Sequence, residues 1–430
     1  MSEVAEATGF AGLWSSLLAI GRDADSGGYR RFAWNAADLA CREWFAAQAA
    51  ERGLAVETDR NGNQWARWEP DAPSTVKHGT ANTATNGGSG ALAIGSHLDS
   101  VPDGGAFDGP LGVISSLAAV DLLRSRGWRP ARPVLIANFA DEEGARFGVA
   151  CAGSRLLSGL LDADKARGLC DTDGIRLAAA MERAGQDPDA LGPDPTRLRD
   201  IAAFVELHIE QGRALADRDA PVGVASAIWP HGRWRFDFTG EANHAGTTAL
   251  DERRDPMLTY AHTVLSARKK ARLGGALATF GRLRVEPNGT NAIPSRVQAW
   301  LDARAPDEAA LDAVIREVHA AAVERAGRDG TAVALENESL TPVVEFDHAL
   351  RDRVSKALAL EFGAVPVLPT GAGHDAGILA AAVPTAMLFV RNPSGRSHTP
   401  AEHAETADCH AGVLALADVV ADLAGGESGS

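Results

Sequence analysis

The sequence predicts an α/β protein with a mixed, largely parallel sheet flanked by helices, and with a smaller α+β open-sandwich domain inserted into it. Three continuous apolar runs, Ala91–Ile94, Pro133–Ala140 and Phe204–Leu207, are typical of strands buried on both faces of a parallel sheet. Between residues 222 and 340 the pattern changes to β-α-β-β-α-β, which is the order of a small open sandwich. The chain then returns to helix and strand, which indicates that the first sheet is completed after an insertion.

The length of the chain agrees with this division. At 430 residues it exceeds the size that one hydrophobic core usually serves, so two domains are expected. We predict a discontinuous first domain of residues 1–221 and 341–430 and an inserted domain of residues 222–340. A hinge near Pro221 and Thr341-Pro342 would let the two domains move relative to each other.

Composition and charge argue against several classes of partner. The formal net charge is −15, whereas nucleic acids and anionic membranes bind clustered basic residues, so neither is an expected partner. Four widely spaced cysteines without a CxxC pair indicate reduced thiols rather than a disulfide framework. No apolar run approaches the roughly 18 residues of a membrane span, and the N-terminal residues lack the features of an export signal. A cytoplasmic location is therefore expected.

The N-terminal segment is predicted to form two helices and a β-hairpin. Helical spacing of apolar residues after a capping asparagine indicates the second helix, and an Asn-Gly turn indicates the hairpin. In chain order these elements are the helices Ala11–Ile20 and Asn35–Arg52, followed by Gly53, and the strands Leu54–Glu57 and Gln64–Trp68. The next segment, Pro70–Gly90, is rich in Pro, Gly, Ser, Thr and Asn and is expected to be a mobile loop without a function.

Alternating and helical patterns define the remaining elements. In the inserted domain they are the strand Trp234–Thr239, the helix Asp255–Arg272, the strands Ala276–Val285 and Arg296–Arg304, the helix Asp307–Gly327 and the strand Thr331–Leu335. The first domain resumes with a helix from about Asp347, the strand Pro384–Val390 and a final helix from Asp408.

All three apolar strands end in side chains that can bind metal or transfer protons. These side chains are His97, Asp99 and Asp108 after the first strand, Glu142 and Glu143 after the second and His208 after the third. The first group lies in a glycine-rich loop, Gly95–Gly112, which precedes a predicted helix, Gly112–Arg126. Because the carboxyl ends of parallel strands meet at one edge of a sheet, we expect these side chains to lie close together.

Together with His398, these residues predict a two-metal site. A bridging carboxylate leaves about two further protein ligands for each ion. We expect Asp108 to be the bridge, with His97 and His208 on one ion and Glu143 and His398 on the other. Such mixed imidazole and carboxylate ligands suit zinc, manganese, cobalt or nickel. The ions would activate a water molecule and polarise a scissile carbonyl.

Two further carboxylates have predicted roles beside the ions. Glu142 precedes a ligand on extended backbone and would point elsewhere, where it could take a proton from the water and pass it to a leaving nitrogen. Asp99 lies two residues beyond His97 and is suited to accept the other N–H of that histidine.

Six motifs together resemble a known metallohydrolase family. They are GSHLDSVPDGGAFDG from Gly95, DEEGARF from Asp141, ELHIEQG from Glu206, ANHAGTT from Ala242, GAGHDA from Gly371 and SHTPAE from Ser397. They look like the amidase–hydantoinase–carbamoylase branch of the dinuclear aminoacylase/carboxypeptidase superfamily, which includes N-carbamoyl-L-amino-acid hydrolases, β-ureidopropionases and allantoate amidohydrolases. The resemblance spans nearly the whole chain. The histidine of HIEQG, where peptidase relatives carry an acidic ligand, indicates this branch.

The resemblance implies two divalent metal ions per subunit, the ligand roles given above and Glu142 as the general base. It also implies that the inserted domain forms a homodimer. His244 of that domain would then reach the active site of the neighbouring subunit and stabilise the developing oxyanion.

The resemblance also assigns substrate-binding positions. Matched residue by residue, they are Gln211, Asn291 and Arg304, together with Gly371 and Gly373 in a loop whose backbone approaches the ligand. Arg304 would bind the substrate carboxylate through its planar, bidentate guanidinium. Simpler interpretations remain open: His244 as a surface residue, Arg304 as a member of a strand-end ion pair and Asn291 as a turn residue. The roles of His374 and Asp375 also stay open.

The expected activity is cleavage of a ureido C–N bond of a small carboxylate. We favour allantoate, which would give a ureidoglycine-type product, ammonia and carbon dioxide, because the stretch Tyr29–Phe45 and the RNPSG variant from Arg391 resemble chains assigned to purine-ureide breakdown. Arg391 could alter which end of the substrate is recognised. The alternatives are an N-carbamoyl-L-amino-acid hydrolase or β-ureidopropionase, a peptidase, and, from another class, an inactive ureide- or metal-binding protein.

Overall fold

The structure is a computed structural model that describes residues 9–70 and 90–428. In chain order its strands are β1 (Ala55–Thr58), β2 (Gln64–Trp68), β3 (Ala91–His97), β4 (Trp128–Pro130), β5 (Val134–Phe139), β6 (Ile201–Ile209), β7 (Val222–Ile228), β8 (His231–Thr239), β9 (Asn243–His244), β10 (Leu277–Glu286), β11 (Ala292–Ile293), β12 (Arg296–Arg304), β13 (Ala332–Thr341), β14 (Val344–Glu345), β15 (Val367–Thr370), β16 (Thr385–Val390) and β17 (Gly426–Ser428).

Helices connect many of these strands. They are Phe10–Leu18, Ala36–Glu51, Pro110–Ser125, Ala152–Ser158, Ala163–Gly168, Leu177–Arg183, Pro195–Asp200, Ala214–Asp217, Pro256–Leu273, Glu308–Asp329, His348–Phe362, Asp375–Leu379 and Thr406–Ala424, with single 3₁₀ turns at Pro188–Ala190 and Leu250–Glu252. The elements form two compact units: the larger contains residues up to Ser226 and from Glu345 onwards, and the smaller is Ala227–Val344.

The larger unit is built on one mixed sheet with the order β1-β2-β5-β3-β6-β16-β7-β14, and β15 also pairs with β7. The four strands in the middle, β5, β3, β6 and β16, are mutually parallel, whereas β1, β2 and β7 pair antiparallel beside them. Every residue of β3, β5 and β16 is buried, as expected for strands covered on both faces. The predicted α/β class with a mixed, largely parallel sheet is confirmed.

Two long helices contribute much of the core of this unit. Helices Pro110–Ser125 and Thr406–Ala424 pack against each other, and most residues of both are buried. The first is apolar on nearly every face, which fits a helix enclosed by other elements rather than one at a surface. It begins at Pro110, two residues before the predicted start, because proline in the first turn leaves no N–H unpaired.

The smaller unit is an open sandwich. Its four-stranded antiparallel sheet has the order β10-β12-β8-β13. In β12 buried and partly exposed residues alternate strictly, and Phe236 and Phe238 of β8 are fully buried. The apolar face packs against helices Pro256–Leu273 and Glu308–Asp329, which also pack against each other. This element order is the β-α-β-β-α-β pattern that the sequence predicts.

Of the local predictions, the cap of the second helix is confirmed and the end of the first buried strand is wrong. Asn35 caps its helix by accepting the main-chain N–H of Asp38 over 2.8 Å, as predicted. The strand predicted to end at Ile94 extends to His97, so the histidine belongs to the strand and not to the loop. The predicted Pro70–Gly90 loop falls mainly on residues outside the described ranges. Among the described residues no helix is both long and apolar enough to cross a membrane.

Candidate metal centre

The candidate site lies at the carboxyl ends of the parallel strands in the larger unit. His97 is the last residue of β3, Glu142 and Glu143 follow β5, and His208 is the penultimate residue of β6. His398 lies in the segment after β16. Because neighbouring parallel strands end at one edge of the sheet, residues far apart in the sequence come together there.

Asp108 is the centre of the cluster, and its two carboxylate oxygens face different partners. Oδ1 lies 3.2 Å from Nε2 of His208 and 3.6 Å from Nε2 of His97. Oδ2 lies 3.3 Å from Nε2 of His398, whose Nε2 is also 3.6 Å from Oε2 of Glu143. The five side chains therefore form two groups that could each hold an ion, His97–Asp108–His208 and Asp108–Glu143–His398, with Asp108 common to both.

These distances fit metal coordination. Ligand atoms bound at about 2.0–2.2 Å to one tetrahedral ion lie about 3.4 Å from each other. In addition, Nε2 of His97 is buried and has no hydrogen-bond partner within residues 9–70 and 90–428. A buried nitrogen without a partner is costly unless a ligand or ion occupies the space in front of it. The donor set thus fits a pair of divalent cations.

Nδ1 of His97 and Nδ1 of His208 each contact a main-chain oxygen, and Nε2 of each ring faces Asp108. Nδ1 of His97 lies 3.2 Å from the main-chain oxygen of Asp99 and 3.3 Å from its Oδ1. Nδ1 of His208 lies 2.9 Å from the main-chain oxygen of Ile209. Hydrogen bonds of this kind fix the ring orientation and the tautomer of metal-binding histidines.

Asp99 also holds the segment after β5. Its Oδ1 accepts the main-chain N–H of Glu142 over 3.1 Å, and its Oδ2 accepts that of Glu143 over 3.0 Å. One carboxylate therefore ties His97 to the two glutamates. The sequence predicted only its contact with His97.

Burial and neighbouring charges shift the pKa values of the acidic residues in opposite directions. Burial alone would raise the pKa of Asp108, but hydrogen bonds with His208, His398 and His97 outweigh it and hold that pKa well below its ordinary value. Burial raises the pKa of Glu142 well above its ordinary value, against the opposing effect of His97, and raises that of Glu143 to about 7. A buried carboxyl group whose pKa is raised is suited to proton transfer near neutral pH.

Gln211 lies at the same oxygen of Asp108 as His398. Its Nε2 donates to Oδ2 of Asp108 over 2.7 Å and to Oγ of Ser397 over 3.0 Å. Its Oε1 is buried without a hydrogen-bond partner in the part of the chain that the structure describes. The structure thus places this predicted substrate-binding residue beside Asp108.

The glycine after Asp108 allows the loop to pack against His97. Gly109 has φ +82°, and a Cβ there would come 2.4 Å from Cε1 of His97. Any side chain would displace the imidazole. His398 itself has φ +56°, a left-handed conformation that is uncommon and costly for a residue with a Cβ.

Sequence reasoning missed Glu402, although it ends the quoted motif SHTPAE. The side chain is buried, and its Oε1 accepts the main-chain N–H groups of Phe107 and Asp108 over 3.0 and 2.9 Å. Burial raises its pKa to about 7. The motif contained the signal, but nothing in the spacing indicated that this glutamate would contact main chain nearly 300 residues earlier.

His374 and Asp375, whose roles were open, are buried beside the site. The ring of His374 lies 4.5 Å from that of His208 between centroids, and burial lowers its pKa well below the ordinary value. Asp375 accepts the hydroxyl of Ser154 over 2.5 Å, and burial raises its pKa to about 8. Gly371 and Gly373 lie in the turn between β15 and this pair, and a Cβ at Gly373 would meet open space.

The remaining candidates belong to the smaller unit. His244 and Asn291 lie close together at the two-stranded ribbon of β9 and β11. There the main-chain N–H of Ala245 donates to the main-chain oxygen of Asn291 over 3.0 Å. Both are exposed. Arg304 ends β12 and donates from Nε to Oδ1 of Asp302 over 2.9 Å. The ribbon adjoins the Arg296 end of β12, so about 26 Å of strand separates it from Arg304.

Arg391 has a structural explanation. Its guanidinium makes two 2.8 Å hydrogen bonds with Asp408 and one of 2.9 Å with Asp219. These carboxylates occupy its donors, so the structure gives no support to the idea that Arg391 selects the end of the substrate.

Comparison with known proteins covers nearly the whole chain. Residues 93–422 match the model of peptidase family M20/M25/M40. An N-carbamoyl-L-amino acid amidohydrolase of Geobacillus stearothermophilus is 37% identical over 426 residues, which cover 96% of this chain and 98% of that protein. An allantoate amidohydrolase of Escherichia coli K12 is 32% identical over 417 residues, 95% of this chain and 96% of that one.

The fold has close counterparts among solved structures. A hydantoinase/carbamoylase family amidase from Burkholderia ambifaria superposes with a TM-score of 0.80 at 31% identity, covering 98% of both chains. The similarity in sequence and that in structure therefore extend over both units and not over the metal-binding motifs alone.

Proposed function

The chain belongs to peptidase family M20/M25/M40, and on that premise we propose that it is a two-metal amidohydrolase that cleaves the ureido C–N bond of a small carboxylate. It is an enzyme that hydrolyses amide or ureido C–N bonds, as its relatives named amidohydrolases do. The family is metal-dependent, and the described residues contain groups that could hold an ion. The observation that carries the proposal of two ions is Asp108, whose two oxygens face separate ligand pairs.

In the proposed mechanism, some side chains bind the metal ions and one transfers a proton. When bound, the two cations would lower the pKa of a water molecule and polarise the scissile carbonyl. His97 and His208 would hold one cation and Glu143 and His398 the other, with Asp108 between them. Glu142 would accept the proton of the attacking water and deliver it to the leaving nitrogen, as its buried position and raised pKa suit.

Five residues have proposed roles in substrate binding. We propose that Arg304 binds the substrate carboxylate, for which a guanidinium is a bidentate donor, and that Gln211, Asn291 and the backbone at Gly371 and Gly373 contact the rest of the ligand. Asp302 now holds the guanidinium of Arg304, so substrate would have to replace that partner.

A homodimer in which residues 222–340 form the dimerisation domain would complete the site. Arg304 and the His244–Asn291 ribbon lie at opposite ends of β12, so no small ligand can touch both within one subunit. If Arg304 and this ribbon act on one substrate, His244 and Asn291 must both come from a second subunit, and His244 would stabilise the oxyanion there. Strand β10 is an exposed sheet edge with Leu277 and Leu283 outward, and Leu258 and Leu265 form an exposed stripe on the neighbouring helix. This surface is apolar enough for a second copy to cover.

Allantoate is the first candidate substrate, and an N-carbamoyl-L-amino acid is the second. The second is favoured by the 37% identity to the Geobacillus enzyme. The first is favoured by the resemblance of the stretch Tyr29–Phe45 and of the RNPSG variant from Arg391 to chains assigned to purine-ureide breakdown. The structure adds nothing to the second of these features, because Arg391 contacts Asp408 and Asp219.

The test is a substrate comparison with the metal-loaded enzyme. Ammonia release is measured with allantoate, several N-carbamoyl-L-amino acids, N-carbamoyl-β-alanine and a dipeptide, before and after treatment with a chelator. Turnover of at least one ureido carboxylate, lost on chelation and restored by divalent metal, is expected. Hydrolysis of the dipeptide alone would indicate a peptidase, and tight binding of a ureido carboxylate without turnover would indicate a binding protein.

A further inference from the structure

The carboxylate of Glu142 is held asymmetrically. Its Oε1 lies 3.3 Å from Sγ of Cys151, and its Oε2 lies 3.7 Å from Nε2 of His97. Nε2 of His97 is the nitrogen that faces Asp108. One oxygen of the glutamate thus contacts a thiol away from the metal ligands, and the other faces them.

Main-chain hydrogen bonds hold Cys151 close to Glu142. The main-chain N–H of Cys151 donates to the main-chain oxygen of Glu142 over 2.5 Å. The main-chain N–H of Ala152 donates to the main-chain oxygen of Asp141 over 3.0 Å. These bonds close the segment between the two residues into a loop. Cys151 has φ +55°, a left-handed conformation that costs energy for a residue with a Cβ. The strained residue is immediately followed by helix Ala152–Ser158.

The chemistry of the contact requires the sulfur to be the donor. Cys151 is 4% exposed, and burial raises the pKa of its thiol well above the ordinary value, so the sulfur keeps its proton. A carboxylate can only accept, whereas a thiol is a weak donor. The hydrogen bond therefore runs from S–H to Oε1, and the thiol is not a nucleophile.

We propose that Cys151 is a positioning residue for the reaction: its S–H donates to Oε1 of Glu142 and so leaves Oε2 as the atom that takes the proton of the attacking water. This inference rests on the proposed role of Glu142 as the general base. Without the thiol, the carboxylate can rotate about its terminal bond, and the basic oxygen is no longer held on the side of the metal ligands.

The kinetic test uses two substitutions at this position and one elsewhere. C151A should lower kcat by about tenfold, the equivalent of one modest hydrogen bond in the transition state, with KM and bound metal unchanged within twofold. C151S, which restores a donor, should recover kcat to within about threefold of wild type. Cys41→Ala removes another fully buried thiol from a core helix and should leave kcat unchanged.

The outcomes separate positioning from packing. A packing role predicts equal losses of thermal stability for C151A and Cys41→Ala and no rescue by serine, which puts a hydroxyl into an apolar space. Unchanged kcat in C151A, or a loss that C151S does not recover, would overturn the proposal.

A second measurement does not depend on activity. The infrared S–H stretching band of Cys151 is obtained as the difference between wild type and C151A. We expect it at lower frequency than the corresponding band of Cys41, and we expect it to move to higher frequency in Glu142→Ala. If the wild-type enzyme hydrolyses no ureido substrate, the proposed function fails, and the band still decides whether the thiol holds Glu142. A band that is unaffected by Glu142→Ala contradicts the contact itself.

Discussion

The carboxylate of Glu402 accepts the main-chain N–H of Asp108 over 2.9 Å, although the two residues are 294 positions apart in the chain. The same oxygen accepts the N–H of Phe107. Glu402 is buried and contacts the loop rather than the candidate metal ligands' side chains. It therefore fixes the backbone from which Asp108 projects toward two groups of histidine and carboxylate ligands.

Removing this acceptor should weaken metal binding. Glu402→Ala leaves two main-chain N–H groups without their acceptor, and we expect metal affinity to fall about 10- to 100-fold. Glu402→Gln keeps an oxygen that can accept both bonds and should stay within a few-fold of wild type. Isothermal titration of the metal-free protein measures both, with exposed Glu361→Ala as the control. Equal affinities for all three variants would contradict this role.

The number of bound ions should depend on which ligand is removed. His97→Ala and His398→Ala should each leave about one ion per subunit, because each removes a ligand from one group, whereas Asp108→Ala should leave almost none. Metal content after dialysis, measured by atomic emission, gives the answer. His403→Ala, an exposed histidine in the same segment, should keep two ions. A wild-type protein that binds a single ion, or Asp108→Ala with two, would be incompatible with a bridge.

Mixing two inactive variants tests the shared active site. In a heterodimer of His244→Ala and Glu142→Gln subunits, the site with an intact Glu142 receives an intact His244 from its partner. The isolated heterodimer should then show about half of wild-type activity, because one of its two sites is complete. Coexpression with two affinity tags isolates the heterodimer for the assay. No recovery would place His244 in the site of its own subunit, and an active His244→Ala homodimer would place it outside the reaction.

Asp237, on the four-stranded sheet of the smaller unit, should stabilise the folded protein to an extent that depends on pH. Burial opposes ionisation of Asp237, but hydrogen bonds from Arg296 and Gln298 outweigh it and lower the pKa below 3.8. The carboxylate therefore stabilises the folded protein above pH 3.8, and this contribution is lost as the pH falls through the lowered value.

The matching experiment is urea denaturation at several pH values. Asp237→Asn should lower the free energy of unfolding by about 1 kcal/mol at pH 7. The difference should stay constant down to about pH 5 and shrink only in more acidic solution. Exposed Asp312→Asn serves as the matched control. A difference that grows as the pH falls would have the wrong sign.

The clustering of the candidate metal ligands could be predicted from the sequence because their placement follows from a general property of parallel sheets. His97, Glu143 and His208 come at or just after the ends of three adjacent parallel strands, so a correct strand assignment also brings the ligands together. The β-α-β-β-α-β order of the smaller unit was equally accessible, since alternation and amphipathic spacing are local properties.

Contacts between distant segments could not be predicted in this way. Glu402 accepts two main-chain N–H groups and Cys151 donates to one carboxylate, and no periodicity in the sequence marks residues that make such isolated contacts. Arg391 was considered as a substrate contact because its partners, Asp219 and Asp408, lie in segments whose packing the sequence does not reveal. The exact end of β3 depended on its pairing with β5, in which His97 lies opposite Phe139.

The proposed role of Glu142 as general base is tested with the Glu142→Gln variant, assayed for turnover and for bound metal in the same preparation. Glutamine cannot accept the proton of the water, so kcat on the preferred ureido carboxylate should fall about 10²- to 10⁴-fold, with two ions per subunit still bound. Glu143→Gln should instead lose activity together with about one of the two ions. Turnover close to that of wild type in a metal-loaded Glu142→Gln enzyme would contradict the proposed mechanism.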